Sequence, residues 1–330
     1  MRVVVVGAGS WGTAVARLAD RAGLPTRLVC RSAGQAERIR ATRRNARYLG
    51  DIEVPATIET AALGDAGCLD GAELVALAIP SRSVRDAGPV VAARLPAGAG
   101  VLSLTKGLDP GTGDRLSESW RALLPAGTPL CVLSGPNHAE EIAAEQPAAA
   151  VVAGDRALGQ RVQEHLSGPR FRLYLNDDLI GVELCGAAKN VIAIAAGMSD
   201  GVGFGDNCKA TLITRGLAEM TRLGVACGAA EATFRGLAGM GDLVATCTSR
   251  HSRNRMAGEL IARGMAADAV ERDLGQVAEG LWTVPRLLAL AERNGVELPI
   301  SAEVAAVAFG GRPVLASLEA LMTRAPAAEE

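Results

Sequence analysis

The sequence has 330 residues, of which 49% are hydrophobic and 21% are charged, with a formal net charge of -2. The apolar fraction is ample for a buried core and excludes a disordered chain, and the near-neutral charge argues against a non-specific nucleic-acid binder. Lysine and arginine together number 34, but only Lys106, Lys189 and Lys209 are lysines. In a chain so biased toward arginine, we expect the retained lysines at positions where arginine cannot replace them.

The first half of the chain alternates short β-branched runs with amphipathic stretches. These predict a helix at Thr13–Ala22 and strands at Val3–Val6, Arg27–Cys30, Glu73–Ile79, Val101–Leu104 and Leu130–Leu133, with further strands near the sheet edge at Ala149–Ala153 and Phe171–Leu175. Continuous apolar runs are typical of strands that are covered on both faces. The sequence therefore predicts an α/β domain with a doubly wound parallel sheet.

After Asp177 the strand patterns stop and helical periodicity takes over. It predicts helices at Leu179–Met198, Cys208–Leu223, Arg253–Arg263 and Gly280–Asn294. We therefore expect two domains, in line with the length of the chain. An α/β domain would span residues 1–178 and an all-α domain residues 179–330, with the tail Ala325–Glu330 frayed.

The cysteines and the apolar runs indicate the compartment. Seven cysteines are scattered without a C-x-x-C pair, as is typical of reduced thiols in a cytosolic protein. The histidines, His138, His165 and His251, share no ligand spacing with them, so the sequence predicts no metal site. The N-terminal valine run is too short for a signal-peptide core, and no apolar run approaches the roughly 18 residues of a membrane span. These patterns predict a cytoplasmic protein.

Gly7, Gly9 and Gly12 form a G-x-G-x-x-G pattern directly after the first predicted strand. In this context the first glycine permits a tight turn, the second lets the backbone approach a pyrophosphate, and the third lets a helix pack against the strand. The N–H groups and the positive dipole end of that helix attract the phosphates. The pattern predicts a Rossmann-type dinucleotide-binding domain, and a structural turn without ligand is the alternative.

The end of the second strand indicates which dinucleotide is preferred. NAD-preferring sites place an acidic residue there, about 20 residues after the glycines, to bind the ribose 2′-hydroxyl, but this chain has Arg31. An arginine suits a 2′-phosphate, so we predict NADP as the preferred cofactor and NAD as the second. Five further arginines are interpreted as a solvated helical face: Arg38, Arg40, Arg43, Arg44 and Arg47.

Two of the lysines lie where a cation could do chemistry. Lys106 closes the fourth predicted strand, and the carboxyl ends of strands in such sheets face the ligand crevice. Lys189 lies among small and apolar residues of a predicted helix, where burial would lower its pKa from about 10.4 toward neutrality. Arginine cannot lose its proton in this way. Asp242, in a glycine-dense turn, is the candidate partner that holds Lys189, and a purely structural ion pair is the alternative.

Clustered donors follow in the stretch Ser249–Arg255. At a helix start such donors are suited to binding a phosphate, with Arg253 as the bidentate partner. An exposed capped turn is the alternative. No motif assigns a role to Lys209, which we expect at a helix start or a position that supports the fold.

Nine stretches together form an ordered set of motifs: Gly7–Thr13, Ser103–Leu108, Ser134–Ala139, Cys185–Val191, Gly197–Gly201, Ile213–Met220, Gly236–Leu243, Ser252–Arg255 and Val277–Gly280. On these stretches the chain resembles the soluble bacterial NAD(P)-dependent glycerol-3-phosphate dehydrogenases over nearly its whole length. The resemblance implies reduction of dihydroxyacetone phosphate to sn-glycerol 3-phosphate, which feeds phospholipid synthesis, and a homodimer. Two positions depart from the family pattern: Gly50 stands where proline is frequent, and Asn137 where serine or threonine is frequent.

The resemblance also implies roles for individual residues. It makes Lys189 the proton donor and acceptor, oriented by Asp242. It implies that the substrate is held by Lys106, Gly135, Asn137, Asn190, Asp242, Ser252, Arg253 and Asn254. It implies that the nucleotide is contacted by Gly7, Gly9, Ser10, Trp11, Gly12, Arg31, Tyr48, Lys106, Ala139, Arg253, Val277 and Glu279.

Two other functions fit parts of the pattern. A β-hydroxyacid or ketopantoate-type reductase would share the two-domain plan and a helical lysine, but the Ser252–Asn254 donors favour a phosphorylated substrate. A non-catalytic NADP sensor would share the glycine pattern, but it would not need a lysine at position 189.

Overall fold

A computed structural model describes residues 1–323 of the chain, so the predicted frayed tail Ala325–Glu330 lies outside the described residues. The strands are β1 (Val3–Val6), β2 (Thr26–Cys30), β3 (Glu59–Ala62), β4 (Leu74–Leu77), β5 (Gly100–Ser103), β6 (Leu130–Ser134), β7 (Ala148–Gly154) and β8 (Phe171–Asn176). The helices among them are α1 (Ser10–Arg21), α2 (Ala33–Thr42), α3 (Ala46–Leu49), α4 (Val84–Arg94), α5 (Leu116–Leu123), α6 (Ala139–Ala143) and α7 (Arg156–Leu166).

The rest of the described chain is helical. Its helices are α8 (Leu179–Gly201), α9 (Asp206–Ala226), α10 (Glu231–Phe234), α11 (Asp242–Thr248), α12 (Arg253–Ala262), α13 (Ala267–Leu274), α14 (Glu279–Arg293), α15 (Pro299–Gly310) and α16 (Val314–Met322). A π-helical segment, Leu237–Gly241, leads directly into α11. The predicted order of an α/β sheet followed by helices is confirmed.

The strands form one sheet in the order β3-β2-β1-β4-β5-β6-β7-β8. The chain runs outward from β1 to β3 and then returns to place β4 beside β1, so the winding direction reverses between β1 and β4. In doubly wound sheets the ligand crevice lies beyond the carboxyl ends of the strands at this reversal. The loops after β1, β4, β5 and β6 therefore meet at one edge of the sheet.

Three details of the sheet differ from the prediction. The edge strand β3 was missed, because its sequence Glu-Thr-Ala-Ala has no apolar run and its first residue is exposed. Strand β7 pairs antiparallel with β6, because the connection between them carries only the five-residue helix α6, which packs on α1 rather than crossing the sheet. Helix α1 begins at Ser10, three residues earlier than predicted, because the glycines form its first turn.

The core is divided between the two faces of the sheet and the helical region. Val3 and Val5 of β1 belong to the apolar cluster on one face, and Val4 and Val6 belong to the cluster on the other. This alternation explains why the strand is a continuous apolar run. A third cluster surrounds α8 and includes Val132 of β6, which joins the helices to the sheet.

Helix α8 bears on the expectation that no apolar run approaches a membrane span. It is long and apolar enough to cross a membrane by length and composition alone, although Glu183 and Lys189 interrupt its apolar residues. Within the structure 83% of its apolar 18-residue window is buried. The apolar surface of α8 is therefore covered by protein, and the helix forms the centre of the helical region.

Glycines allow α12 to pack very closely against α8. A Cβ atom at Gly258 of α12 would lie 2.1 Å from the Ile194 carbonyl oxygen, and one at Gly197 of α8 would lie 1.9 Å from the Arg255 carbonyl oxygen. Neither backbone atom can move aside without separating the helices. The two glycines therefore fix the distance between the helix that carries Lys189 and the helix that begins at Arg253.

Substituting Gly258 by alanine should reveal this packing. Overpacking of this kind costs about 1–3 kcal/mol or more, so Gly258→Ala should lower the midpoint of thermal unfolding clearly. The matched control is Gly310→Ala, at the last residue of α15, where a Cβ meets nothing within 4 Å. Calorimetry would contradict the packing argument if the two variants unfolded at the same temperature.

Candidate active site

The glycine loop between β1 and α1 is shaped by contacts that only glycine permits. Gly7 has a φ of +109°, and a Cβ there would lie 2.3 Å from the Ala78 carbonyl oxygen. A Cβ at Gly12 would lie 1.8 Å from the Gly7 carbonyl oxygen. Gly9 instead faces open space, with nothing within 4 Å of its Cβ position, and caps α1 without any side chain. The first N–H groups of α1 are thus open to an anion, which fits the pyrophosphate of a dinucleotide.

Polar side chains that the sequence did not single out hold this loop in place. The Ala8 carbonyl accepts hydrogen bonds from Gln35 Nε2 at 2.8 Å and from Asn45 Nδ2 at 3.0 Å. Asn45 is buried and also donates to Thr13 Oγ1 at 2.8 Å. In the sequence, Asn45 is only an asparagine within an arginine-rich stretch. That pattern does not reveal that its side chain is buried and contacts Ala8, which lies 37 residues earlier in the chain.

Four further residues proposed to contact the nucleotide, Ser10, Trp11, Tyr48 and Val277, lie in or beside the same loop. The Ser10 hydroxyl donates to the Tyr48 carbonyl oxygen at 2.9 Å and lies 3.3 Å from Gln276 Oε1, next to Val277. The indole Nε1 of Trp11 is buried and has no hydrogen-bond partner within residues 1–323. An unpaired buried donor beside the glycine loop fits a site whose ligand supplies the acceptor.

Arg31 is exposed directly beyond β2, and the pairing of Val29 with Val6 places it next to the glycine loop. Of the five arginines interpreted as a solvated face, three bind protein atoms. Arg40 donates to the Thr60 carbonyl, Arg44 pairs with Asp51, and Arg47 donates to the Gly275 carbonyl. Arg47 and the Gly275 loop thus link the nucleotide half to the helical half.

Two lysines converge on one carboxylate in the crevice. Lys106 Nζ lies 2.7 Å from Asp242 Oδ2, and Lys189 Nζ lies 2.8 Å from Asp242 Oδ1. Lys189 also donates to Thr246 Oγ1 at 2.7 Å, and Lys106 also donates to the Gly135 carbonyl at 2.8 Å. The structure thus brings the candidate partner Asp242 into contact with both lysines, and adds Thr246, which sequence reasoning missed. We call Lys106, Lys189 and Asp242 the lysine–aspartate centre.

Burial and charge set the protonation of this centre. Burial and, to a smaller extent, the ammonium of Lys106 lower the pKa of Lys189 to about 8, against the opposing effect of the Asp242 charge. Burial alone would raise the pKa of Asp242, but the two ammonium groups outweigh it and hold that pKa below its usual value. The carboxylate therefore stays ionised, while Lys189 can gain or lose a proton near neutral pH.

Lys106 lies three residues beyond the end of β5 rather than closing the strand. Lys189 is in the middle of α8, and Asp242 is the first residue of α11, directly after the π-helical segment. The crevice edge of the sheet and two helices thus each supply one charge. Among the described residues, no cluster of three or more His, Cys, Asp or Glu side chains could hold a metal ion.

Hydrogen bonds of two side-chain amides, Asn190 and Asn254, connect the lysine–aspartate centre to the neighbouring helices. Asn190 Nδ2 contacts the carbonyl oxygens of Gly186 at 3.2 Å and Lys106 at 3.5 Å. Asn254 Nδ2 donates to Asn190 Oδ1 at 2.8 Å, and the Gly280 N–H donates to Asn254 Oδ1 at 2.9 Å. Both asparagines are buried. Since one Asn254 amide hydrogen and its oxygen are used within the protein, it has only its second amide hydrogen to offer a ligand.

The predicted donor cluster forms a turn at the start of α12, which we call the anion turn (residues 249–254). Ser252 is buried, and its Oγ caps α12 by accepting from the Arg255 N–H at 3.2 Å. Arg253 is the first residue of α12, and its side chain is exposed. The open first turn of α12 and the Arg253 guanidinium together suit an anion, as expected from the sequence.

Three further predicted residues complete the crevice wall. Both amide atoms of Asn137 are buried without a hydrogen-bond partner among residues 1–323, and Asn137 lies beside Gly135, whose carbonyl binds Lys106. Ala139 begins α6. The carboxylate of Glu279, at the start of α14, accepts from the Ser81 N–H at 3.1 Å and from its hydroxyl at 2.6 Å, and burial raises its pKa.

The crevice therefore combines a glycine loop suited to a dinucleotide, a buried lysine of near-neutral pKa and a turn suited to an anion. That combination defines a nicotinamide-dependent dehydrogenase. The particular family is shown by comparison: residues 2–158 match the family model for the N-terminus of NAD-dependent glycerol-3-phosphate dehydrogenase, and residues 178–319 match the model for its C-terminus. The chain belongs to the NAD-dependent glycerol-3-phosphate dehydrogenase family.

Individual relatives agree with this assignment. A glycerol-3-phosphate dehydrogenase [NAD(P)+] from Thermus thermophilus is 48% identical over 329 residues and is matched over the full length of both chains. The crystal structure of a glycerol-3-phosphate dehydrogenase from Coxiella burnetii is 35% identical, with a TM-score of 0.93 over 98% of this chain and 99% of that one. The recognised resemblance and the predicted fold class are thereby confirmed.

The same comparisons bear on the alternative functions. A ketopantoate reductase from Ralstonia eutropha is similar over 98% of this chain and all of its own, but at 16% identity and a TM-score of 0.61. That likeness shows a shared fold alone. Family membership makes this chain an NAD(P)-dependent oxidoreductase and decides against the ketopantoate-type reductase and the non-catalytic sensor.

Proposed function

We propose that the chain reduces dihydroxyacetone phosphate reversibly to sn-glycerol 3-phosphate, with NADPH preferred over NADH, and so feeds glycerophospholipid synthesis. The observation that carries the proposal is the buried Lys189, held 2.8 Å from Asp242 and able to change its protonation near neutral pH. A carbonyl that accepts a hydride needs a proton donor of this kind. The anion turn supplies a separate place for the phosphate of the substrate.

We propose that residues 1–178 form the nucleotide-binding domain and residues 179–330 the helical catalytic domain. This division is supported by the last strand, which ends at Asn176, and by the family models, which match residues 2–158 and 178–319. When bound across the glycine loop, the nicotinamide cofactor supplies the hydride for C2 of the substrate. Three of the proposed cofactor contacts have the most direct support. The glycine loop offers open N–H groups, Trp11 offers a buried donor without a partner among residues 1–323, and Arg31 offers an exposed cation.

The proposed role of Lys189 is to donate a proton to the alkoxide that develops at C2. Asp242 accepts from Lys189 and Lys106 through different oxygens, so it fixes the direction of both ammonium groups. Lys106 then adds positive charge beside the developing alkoxide. Electrostatic stabilisation of this kind is strong in a site from which water is excluded.

The proposed substrate contacts lie around this centre. Arg253 and Asn254 bind the phosphate at the anion turn, with Ser252 shaping the turn. Gly135, Asn137 and Asn190 line the path between the phosphate and the reacting carbon. Because the phosphate takes no part in the hydride transfer, its binding energy serves to position the carbonyl. The homodimer and the cytoplasmic location stay predictions.

Replacing Lys189 by alanine tests the proposed reaction. Loss of a positioned acid or base costs about 10²–10⁴-fold in rate, so kcat for dihydroxyacetone phosphate should fall by that factor. Titration of the variant with NADPH checks that the cofactor site is intact, and a thermal melt checks the fold. Turnover close to that of the wild type would rule out Lys189 as the proton donor.

The pH dependence should follow the pKa of Lys189, which lies at about 8. Reduction needs the protonated lysine, so kcat/KM for dihydroxyacetone phosphate should fall as the pH rises through about 8. Oxidation of glycerol 3-phosphate needs the neutral lysine, so its kcat/KM should rise over the same range. Initial rates in both directions at constant ionic strength measure this. Profiles that change in the same direction would contradict the assignment.

Arg31 should decide which cofactor is preferred. Arg31→Asp removes the cation that suits a 2′-phosphate and adds a carboxylate that can accept from a 2′-hydroxyl. The KM for NADPH should therefore rise relative to the KM for NADH. The matched control is Arg38→Asp, an exposed arginine on α2 that should leave the ratio unchanged. An unchanged ratio for Arg31→Asp would count against this role.

A further inference from the structure

Lys209, the one lysine that no motif explains, belongs to an ion cluster beside the anion turn. It lies in the first turn of α9, and its Nζ is 2.8 Å from Asp200 Oδ1. Asp200 is near the end of α8, the helix that also carries Lys189. The two side chains are largely buried, with 20% and 15% of their surfaces exposed. An ion pair so shielded from solvent is screened less by salt than an exposed pair, and removing one partner leaves a charge that is poorly solvated.

The second oxygen of the same carboxylate is occupied as well. Asp200 Oδ2 lies 3.0 Å from the guanidinium of Arg255, which also contacts Glu259 Oε1 at 2.6 Å. The cluster thus balances two cations with two carboxylates. Each Asp200 oxygen has one cationic partner, so the position of Arg255 depends on how Lys209 holds the carboxylate.

Arg255 connects this cluster to the anion turn. Its Nε donates to the Ser249 carbonyl at 3.3 Å, and its backbone N–H donates to Ser252 Oγ at 3.2 Å. These two bonds reach both ends of the tight turn from Ser249 to Ser252, immediately before Arg253. A displacement of Arg255 would therefore change where Arg253 and the first N–H groups of α12 point.

The geometry also explains why this position is a lysine. An ammonium is a compact donor that binds one carboxylate oxygen and leaves the other free. A guanidinium is a planar fork that binds both oxygens of a carboxylate. An arginine at position 209 would compete with Arg255 for Asp200. In a chain where nearly every other cation is arginine, the lysine is retained at a site where the fork would disrupt a shared carboxylate.

We propose that Lys209 is a positioning residue for the phosphate-binding turn: it holds one oxygen of Asp200, so that Arg255 on the other oxygen fixes the turn that presents Arg253. This inference rests on the proposed function, because it assumes that the anion turn binds the phosphate of the substrate. Lys209 acts through Asp200 and Arg255 and does not itself touch the ligand.

The test compares Lys209→Arg and Lys209→Met with the wild type in NADPH-dependent reduction of dihydroxyacetone phosphate. Losing a charge-assisted hydrogen bond corresponds to a factor of about 10 or more. Both variants should raise KM for dihydroxyacetone phosphate by about tenfold, while kcat stays near the wild-type value. Because Arg253 is also among the proposed nucleotide contacts, KM for NADPH should rise by a smaller factor. The matched control is Arg312→Met, which removes an ion pair with Glu303 on α15 and should change none of these constants.

The arginine variant separates positioning from simple charge pairing. If Lys209→Arg keeps the wild-type KM for dihydroxyacetone phosphate, the proposal is overturned, because any cation would then suffice. Equal changes in both KM values, or a lower unfolding temperature with unchanged KM values, would also overturn it in favour of a folding role. Should Lys209→Met fail to fold, Asp200→Asn takes its place and should raise the same KM, and an unchanged KM would reject the proposal.

The proposed function is tested separately by the wild type. If the wild-type enzyme does not reduce dihydroxyacetone phosphate, that function is rejected. The positioning role is rejected when the wild type reacts and the Lys209 variants match it.

Discussion

The candidate active site depends on one buried carboxylate that compensates two ammonium groups. Asp242 is only 2% exposed, and its two oxygens bind Lys106 and Lys189 separately. Burying charges is costly unless they are paired, and here two lysines rely on the same partner. Burial, together with the second ammonium group that Asp242 must also compensate, lowers the pKa of Lys189, so this lysine releases its proton readily. The excess positive charge is also what a developing alkoxide requires.

The surrounding structure keeps these three side chains together. The π-helical segment Leu237–Gly241 carries the chain into α11 so that Asp242 is directed at α8, and a Cβ at Gly239 would lie 2.1 Å from the Phe234 carbonyl oxygen. Gly280 allows α14 to pack closely against α8, because a Cβ at this position would lie only 2.7 Å from the Asn190 carbonyl oxygen. π-helical turns are frequent at functional sites, where they direct a side chain that a regular helix would misplace.

Much of this arrangement could be predicted from the sequence, because its signals are local. The four valines, the glycine pattern and the long apolar helix fix β1, the phosphate loop and α8 through short-range periodicity. The scarcity of lysine singled out Lys106 and Lys189, and the glycine-dense turn singled out Asp242. What escaped prediction depends on contacts between distant segments. Thr246 and Asn45 have ordinary sequence neighbours, and the direction of β7 depends on where α6 packs.

The bond from Lys106 to Asp242 joins the loop after the sheet to the helical region through a nearly dry ion pair. Any rotation that opened the crevice widely would have to separate opposite charges in a low-dielectric environment, where their attraction is strong. The two halves of the molecule are therefore joined at the proposed site of the chemistry.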